Sequence, residues 1–296
     1  MKPESVPLLR CPRSHEPLRL VSEPGPGGST QQVLVSEPSG ERYTLRDGIP
    51  LLLDQHALSG INLRYQGAYN RAARFYDPAL RLAARLVGGS EGRFRREYLQ
   101  ELGVHVGQHV LEVSVGTGAN LRYLPPGAIY FGLDISWGML ARCQKNLRTW
   151  QAEAELFLGN AEELPFCDES FDVVFHVGGI NAFNDRGRAL AEMVRVARSD
   201  SKLLVVDESA KLMEALSWAP SAKRMLQEWG DRFQAPVDLL PAGMVDVQVT
   251  PILKGWLYCM TFRKPRENCR SPWGQSMSTM ADHGPKLPPQ DSPTGG

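Results

Sequence analysis

Through the middle of the chain, apolar residues come in short unbroken runs. Val173-Val174-Phe175 and Leu203-Leu204-Val205-Val206 are too short for buried helices, and continuous runs of this length are strands covered on both faces. Strands are expected over residues 109–113, 129–133, 154–158, 171–177 and 202–207, each followed by a loop or a helical crossover. Between the last two, Leu190, Met193, Val194 and Ala197 recur at the helical spacing and form a core-facing stripe. Strands alternating with helices predict a mostly parallel, doubly wound α/β sheet. After Pro241, strands over 245–250 and 256–262 flank a short turn at Lys254 and Gly255, and so close a connection requires an antiparallel pair.

Upstream the pattern changes. Residues 60–105 become helical, with a stripe at Leu80, Ala83, Ala84 and Val87, a break at Gly88 and Gly89, and a second stripe at Phe94, Tyr98 and Leu102. Residues 1–59 are rich in Pro and Gly with short β-like runs at 32–36 and 42–45, a small β-rich appendage. Residues 265–296 carry Pro272, Pro285, Pro288, Pro289 and Pro293 among Ser, Gly and Asp, the composition of a disordered tail. The expected domains are therefore 1–59, 60–264 (a helical lid at 60–105 and a core at 106–264) and the tail.

Composition narrows the partners. The 296 residues carry 33 Lys+Arg against 33 Asp+Glu, so there is no charge surplus to drive binding to nucleic acid or an anionic membrane. No run approaches the roughly 20 apolar residues of a membrane span, and residues 1–20 lack the apolar stretch of a signal peptide, which makes the cytoplasm the expected location. The 5 cysteines are scattered without paired spacing and read as reduced thiols.

The chemistry concentrates at strand ends. Val110-Leu111-Glu112-Val113-Ser114-Val115-Gly116-Thr117-Gly118 is an apolar strand running into an acid and then a Gly-x-Gly turn that is expected to open a helix, at the sheet edge where such folds bind ligands. The next strand ends at Asp134, before Ile135, Ser136 and Met139. A carboxylate there accepts two ribose hydroxyls, or else caps the following helix. After the third strand, Asn160-Ala161 offers an amide that reads an adenine edge or simply makes a turn. The fourth strand ends at His176, beside Gly178, Gly179, Asn181 and Phe183.

Taken in order, these segments resemble the class I S-adenosylmethionine-dependent methyltransferases, in the branch of the ubiquinone and menaquinone C-methyltransferases, over residues 65–264. The resemblance implies a Rossmann-like fold and S-adenosylmethionine as cofactor, bound by Glu112, Ser114, Gly116, Gly118, Asp134, Ile135, Met139, Asn160, Ala161 and His176. It makes Ala68-Tyr69-Asn70 through Phe75-Tyr76-Asp77 a lid, with Tyr76 over the cofactor, or else Tyr69 and Tyr76 are core packing. Ser114 departs from the family's first glycine, and Asn160 from its usual aspartate. The implied activity is methyl transfer to an O, C or S atom of a small organic acceptor, with Gly178, Asn181 and Phe183 beside the acceptor. His176 is then the general base, or a hydrogen-bonded structural residue. The Asn-Pro-Pro-aromatic tetrapeptide of base and glutamine methylation is absent after the fourth strand.

Cys11-Pro12-Arg13-Ser14-His15 resembles the start of a short zinc-ribbon-derived domain. Cys11 and His15 supply two of the four ligands structural zinc needs, with no second ligand pair following, so a metal-free ribbon is expected. It is left to flank the substrate entrance or to contact a partner protein or second copy. Two rival functions stand beside the enzyme: a catalytically silent cofactor-binding subunit, and an NAD(P)-dependent oxidoreductase, against which Leu121 occupies the place of the third fingerprint glycine.

Overall fold

The computed structural model describes residues 1–25, 29–54, 58–86 and 90–266. Strands β1 (Arg19–Pro24), β2 (Thr30–Val35), β3 (Arg42–Arg46) and β4 (Ile49–Pro50) make an antiparallel four-stranded sheet in chain order. It does not stand apart: residues 1–265 form one compact unit. Leu9, Cys11, Leu34, Tyr43 and Leu52 share one buried cluster with Leu133, Phe157 and Phe166 of the core.

Helix α1 (Gly60–Leu86) and helix α2 (Glu91–Leu99) follow. Ser90 caps α2, its hydroxyl accepting from the Arg93 N–H. The Leu80, Ala83, Ala84 and Val87 stripe, the Gly88-Gly89 break and most of the expected tail lie outside the described side chains or residues.

The core runs β5 (His109–Val113), β6 (Ile129–Asp134), α3 (Trp137–Trp150), β7 (Glu155–Leu158), β8 (Phe171–Val177), α4 (Arg186–Val196), β9 (Ala197–Glu208), α5 (Ala210–Ala215), α6 (Pro220–Trp229), β10 (Val245–Ile252) and β11 (Leu257–Arg263). These strands form a seven-stranded sheet in the order β10-β11-β9-β8-β5-β6-β7. Strands β9 through β7 are parallel, and β11 pairs antiparallel with both β9 and β10, as the short turn requires. Val174, Phe175, Leu203, Leu204 and Val205 are fully buried, because helices cover both faces. The chain leaves β5 toward β6 and β7 and then returns to β8 on β5's other side. The strand order therefore reverses between β5 and β8, and their carboxyl ends open a crevice.

Two local expectations fail. The glycine turn does not open an α-helix: only a 3-10 turn, Leu121–Tyr123, follows, because Pro125 and Pro126 close the segment before α-helical hydrogen bonds can propagate. Ala197, expected on the helical stripe, instead begins β9, since α4 ends at Val196 and Ala197 pairs with Phe171 of β8. Among the described residues, no helix is long and apolar enough to cross a membrane. Cys11, Cys143, Cys167 and Cys259 are free thiols.

Candidate active site

Two adjoining clefts open at the crevice between β5 and β8, with Ser114 in the wall of both. The first, about 550 Å³ including its open mouth, is walled by Tyr69, Tyr76, Arg95, Glu112, Ser114, Gly116, Asn120, Asp134, Met139 and Gly178 among others. The second, about 380 Å³, is walled by Asn62, Tyr65, Ser114, Ile135, Asn160, Ala161, Gly179 and Phe183 among others. The crevice thus gathers most of the residues expected from sequence. Gly118, His176 and Asn181 line neither cleft.

The glycine turn and the β6 acid converge. The Gly116 N–H donates to Asp134 Oδ2 at 2.8 Å, and the Ser136 N–H donates to Oδ1 at 2.8 Å. Asp134 is 6% exposed, and burial pushes its pKa to about 6 against the pull of those N–H groups. It does not cap α3. That position belongs to Ser136, whose hydroxyl accepts from the Met139 N–H at 3.2 Å. Ser114 has φ of 63°, in the left-handed region where a side chain is strained. A glycine there carries no such penalty. Gly118 also has positive φ, 76°, and a Cβ on it would lie 2.6 Å from Cys143 Sγ, so this glycine serves close packing of the turn on α3.

Glu112 is 1% exposed in the first cleft's wall. Its Oε1 accepts from Asn120 Nδ2 at 2.6 Å, while Asn120 Oδ1 accepts from Arg95 Nη1 at 2.6 Å and from the Tyr98 hydroxyl at 2.9 Å. Its Oε2 is buried without a protein partner. Burial raises the carboxyl to about 8, with the Asn120 bond and the Arg95 charge pulling the other way and Asp134 adding to the rise. A buried acceptor left open toward a cleft is costly unless a ligand donor meets it.

Helix α1 closes the crevice from above. Tyr69 and Tyr76 face the first cleft and Tyr65 the second, and their rings form a row with Trp229 of α6. Centroids lie 5.7 Å apart for Trp229–Tyr65, 5.9 Å for Tyr65–Tyr69 and 6.2 Å for Tyr69–Tyr76. The lid is pinned at two points that sequence reasoning missed as contacts. Asp77 accepts from the Thr117 hydroxyl at 2.5 Å and from Asn146 Nδ2 at 3.0 Å, and Asn70 Oδ1 accepts from Ser136 Oγ at 2.7 Å and the Gly138 N–H at 2.8 Å. At the helix start, Asn62 donates to Glu162 Oε1 at 2.8 Å and accepts from the Asn184 N–H at 3.2 Å, joining the lid to the loops after β7 and β8.

His176 is fully buried. Its Nδ1 donates to the Val113 carbonyl at 2.9 Å, its ring packs edge-on to Phe183 at 5.3 Å, and burial lowers its pKa. Asn181 is held by its own N–H to Asp207 Oδ2 at 2.9 Å and by its Nδ2 to the Glu208 carbonyl at 3.0 Å. Gly178 and Gly179 have φ of 78° and 111°, and a Cβ on either would meet nothing within 4 Å, so both leave open space beside the clefts. Asp207 accepts from the N–H groups of Gly179 (3.1 Å), Asn181 (2.9 Å) and Glu208 (2.9 Å). The Asp207 charge, then burial, raises the Glu208 carboxyl well above its ordinary value. Glu208 was not singled out from sequence, although two adjacent acids ending an apolar strand mark the position.

The register fixes where Glu208 points. Glu112 aligns with Phe175, and Phe175 with Leu204, so the three share a face; alternation along β9 puts Val206 and Glu208 on that same face. Burial raises the phenols of Tyr65, Tyr69 and Tyr76, the last to about 12, and the Glu208 charge adds to each. His176, aligned with Val113 and Val205, lies on the opposite face.

Comparison with known proteins agrees with this geometry. Residues 111–205 match the family model described as a methyltransferase domain. The chain is 36% identical over 122 residues to a demethylmenaquinone methyltransferase of Renibacterium salmoninarum, covering 41% of this chain and 50% of that one. It is 41% identical over 104 residues to phthiotriol/phenolphthiotriol dimycocerosates methyltransferase 1 of Mycobacterium ulcerans, covering 34% and 38%. The chain therefore spans half or less of the length of these two relatives. Among solved structures, the fold matches an S-adenosyl-L-methionine-dependent methyltransferase assignment from Methanococcus maripaludis (TM-score 0.52, 17% identity, 68% of this chain and 95% of that one). It also matches Haemonchus contortus phosphoethanolamine N-methyltransferase 2 in complex with S-adenosyl-L-methionine (TM-score 0.50, 16% identity, 62% and 56%). With the glycine turn, the β6 acid and the closing antiparallel strand all in place, residues 111–205 are similar to a methyltransferase domain, set in a fold shared with S-adenosylmethionine-dependent methyltransferases.

Proposed function

We propose that the chain transfers a methyl group from S-adenosylmethionine to a small, largely apolar acceptor bearing a hydroxyl or an enolic ring carbon. The observation that carries this reading is the buried, unpartnered Glu112 Oε2 in the wall of a cleft that also holds the Asp134–Gly116 pairing. Those groups suit the cofactor's own: an ammonium for Glu112, ribose hydroxyls for Asp134, and an adenine edge for the second cleft at Ile135, Asn160 and Ala161. Arg95, in the same wall, is a cation already paired with Glu91 at 2.8 Å.

When bound, S-adenosylmethionine supplies an electrophilic methyl group on a cationic sulfur. The protein's own contribution is alignment and water exclusion, worth up to roughly 7–11 kcal/mol when two reactants are well oriented. Tyr65, Tyr69, Tyr76 and Trp229 supply an apolar, ring-lined cover, and Gly178 and Gly179 leave room for the acceptor. An O–H or enolic acceptor must lose a proton as its electron pair forms the new bond to carbon and the carbon–sulfur pair returns to sulfur. We assign that proton to the Glu208 carboxylate rather than to His176. Glu208 leaves the sheet on the face of Glu112 and the lid tyrosines, while His176 spends Nδ1 on Val113 on the other face.

The relatives named for demethylmenaquinone and phthiotriol guide the choice of acceptor probe. The test is transfer of label from methyl-labelled S-adenosylmethionine to short-chain demethylmenaquinol and to a panel of phenols, with calorimetry against S-adenosylmethionine, S-adenosylhomocysteine and NAD. Transfer by the parent chain, reduced about 10²- to 10⁴-fold in Glu208→Gln at unchanged cofactor affinity, supports the reading. Tight binding of NAD and none of the sulfonium overturns it. Cofactor binding without transfer to any acceptor of a metabolite extract returns the silent-subunit reading.

A further inference from the structure

The N-terminal sheet contains two turns whose chemistry methyl transfer does not use. Cys11-Pro12-Arg13-Ser14-His15-Glu16 precedes β1, and Ser36-Glu37-Pro38-Ser39-Gly40-Glu41 joins β2 to β3. Their backbones repeat residue for residue. In the first, the Cys11 N–H donates to the Glu16 carbonyl at 2.8 Å and the His15 N–H to the Cys11 carbonyl at 2.8 Å. In the second, the Ser36 N–H donates to the Glu41 carbonyl at 2.9 Å and the Gly40 N–H to the Ser36 carbonyl at 2.8 Å. The fifth residue of each is left-handed, His15 at φ 58° and Gly40 at φ 71°. The first and fourth positions are Cys11 and Ser14 in one turn and Ser36 and Ser39 in the other. That is the two-residue gap from which each of two knuckles offers a pair of ligands to a tetrahedral metal.

Sequence alone showed no second pair, because a serine pair carries no metal signature; the repeated turn geometry reveals it. Three of the four ligand positions hold hydroxyls, which stay protonated at neutral pH and are poor zinc ligands, whereas thiolates bind by shedding their protons. Two carboxylates instead connect the turns. Glu16 Oε2 accepts from Ser14 Oγ at 3.1 Å and from Ser36 Oγ at 2.9 Å, one from each turn, and Ser39 Oγ donates to Ser36 Oγ at 2.8 Å. Glu41 Oε2 accepts from Cys11 Sγ at 2.8 Å and from the Tyr43 hydroxyl at 2.8 Å. Cys11 and Ser36 are fully buried. The Cys11 bond, followed by that of Tyr43 and the Arg13 charge, holds the Glu41 carboxyl below its usual range against its partial desolvation.

We propose that the two turns are paired zinc-ribbon knuckles in which a serine–carboxylate hydrogen-bond network stands where the cation would be, making the segment a metal-independent brace on the adenine side of the crevice. The brace is continuous with the site. Leu51 pairs with Leu158 at the end of β7, and the Leu52 N–H donates to the Leu158 carbonyl at 2.8 Å, one residue before Gly159 and Asn160 in the wall of the second cleft. Only this last link rests on the proposed cofactor site; the network stands without it.

The test uses the full chain and the metal itself. The parent purified from zinc-supplemented medium carries no stoichiometric zinc, and its melting temperature is unmoved by EDTA. The Ser14→Cys, Ser36→Cys, Ser39→Cys triple variant binds about one zinc per chain with tetrahedral thiolate geometry by X-ray absorption, and EDTA lowers its melting temperature. One zinc per chain in the parent, or a folded triple variant that takes up none, overturns the proposal. Glu16→Gln guards against a triple variant that fails to fold. It lowers the melting temperature of the zinc-free parent by about 2–6 °C, while Glu37→Gln, at an exposed position of the second turn, leaves it unchanged. No loss in Glu16→Gln also overturns the network.

Discussion

Replacing Glu112 by Gln should move stability and affinity in opposite directions. Glutamine keeps the acceptor for Asn120 Nδ2 and the volume of the side chain but removes the ionisable group. The parent carboxyl stands at about 8 in the fold against 4.5 as its ordinary value. A folded pKa above the unfolded one means the folded chain holds the extra proton. The group's contribution is greatest below 4.5 and is lost as pH rises toward 8. At neutral pH about 2.5 units of that window have been crossed, about 3 kcal/mol at 1.36 kcal/mol per unit. Because Glu112 is 1% exposed, screening takes away little of it. Urea melts at pH 5, 7 and 8.5 should therefore show Glu112→Gln gaining about 1–3 kcal/mol on the parent at neutral pH and little at pH 5. Calorimetry should show the opposite for S-adenosylmethionine. Loss of a charge-assisted bond of about 1.5–3 kcal/mol weakens binding about 10- to 100-fold. Proton release on binding, read from buffers of different ionisation enthalpy, should be present in the parent and absent in the variant. A variant less stable than the parent at pH 7, or one that binds the cofactor as tightly, refutes the role given to Oε2.

Three further outcomes follow from single side chains. Ser114→Gly relieves a left-handed residue and should raise stability by about 1 kcal/mol in thermal melts, with cofactor affinity equal or better. Asp134→Ala strips the acceptors from the Gly116 and Ser136 N–H groups and should cut cofactor affinity at least about 10-fold in calorimetry; unchanged affinity removes Asp134 from the site. His176→Ala should cost about 2–4 kcal/mol through a cavity and a lost hydrogen bond while leaving cofactor affinity intact. Because burial lowers the histidine pKa, the parent loses stability as pH falls from the ordinary histidine value toward the lowered one, and this limb should vanish from the variant's urea melts.

Much of this protein was legible in one dimension. Continuous runs such as Leu203 to Val206 can only be strands covered on both faces, and a strand-acid-glycine order at Glu112, Gly116 and Asp134 can only meet at one sheet edge, because parallel strands carry their carboxyl ends together. The turn at Lys254 and Gly255 likewise dictated the antiparallel β10–β11 pair. What the local pattern could not carry was direction. His176 and Glu208 both end apolar strands, yet the pairing register sends one to the face of Val113 and Val205 and the other to the face of Glu112 and the lid tyrosines. The two N-terminal turns are similar for the same kind of reason. Cys11 to Glu16 and Ser36 to Glu41 share little sequence, and their kinship lies in backbone hydrogen bonds and in carboxylates that cross between them. Sequence determined most of the strands and which sheet edge gathers the candidate residues, since burial and chain connectivity are written in residue type and spacing. Which side chain faces which was left to tertiary pairing, where a shift of one residue reverses every face.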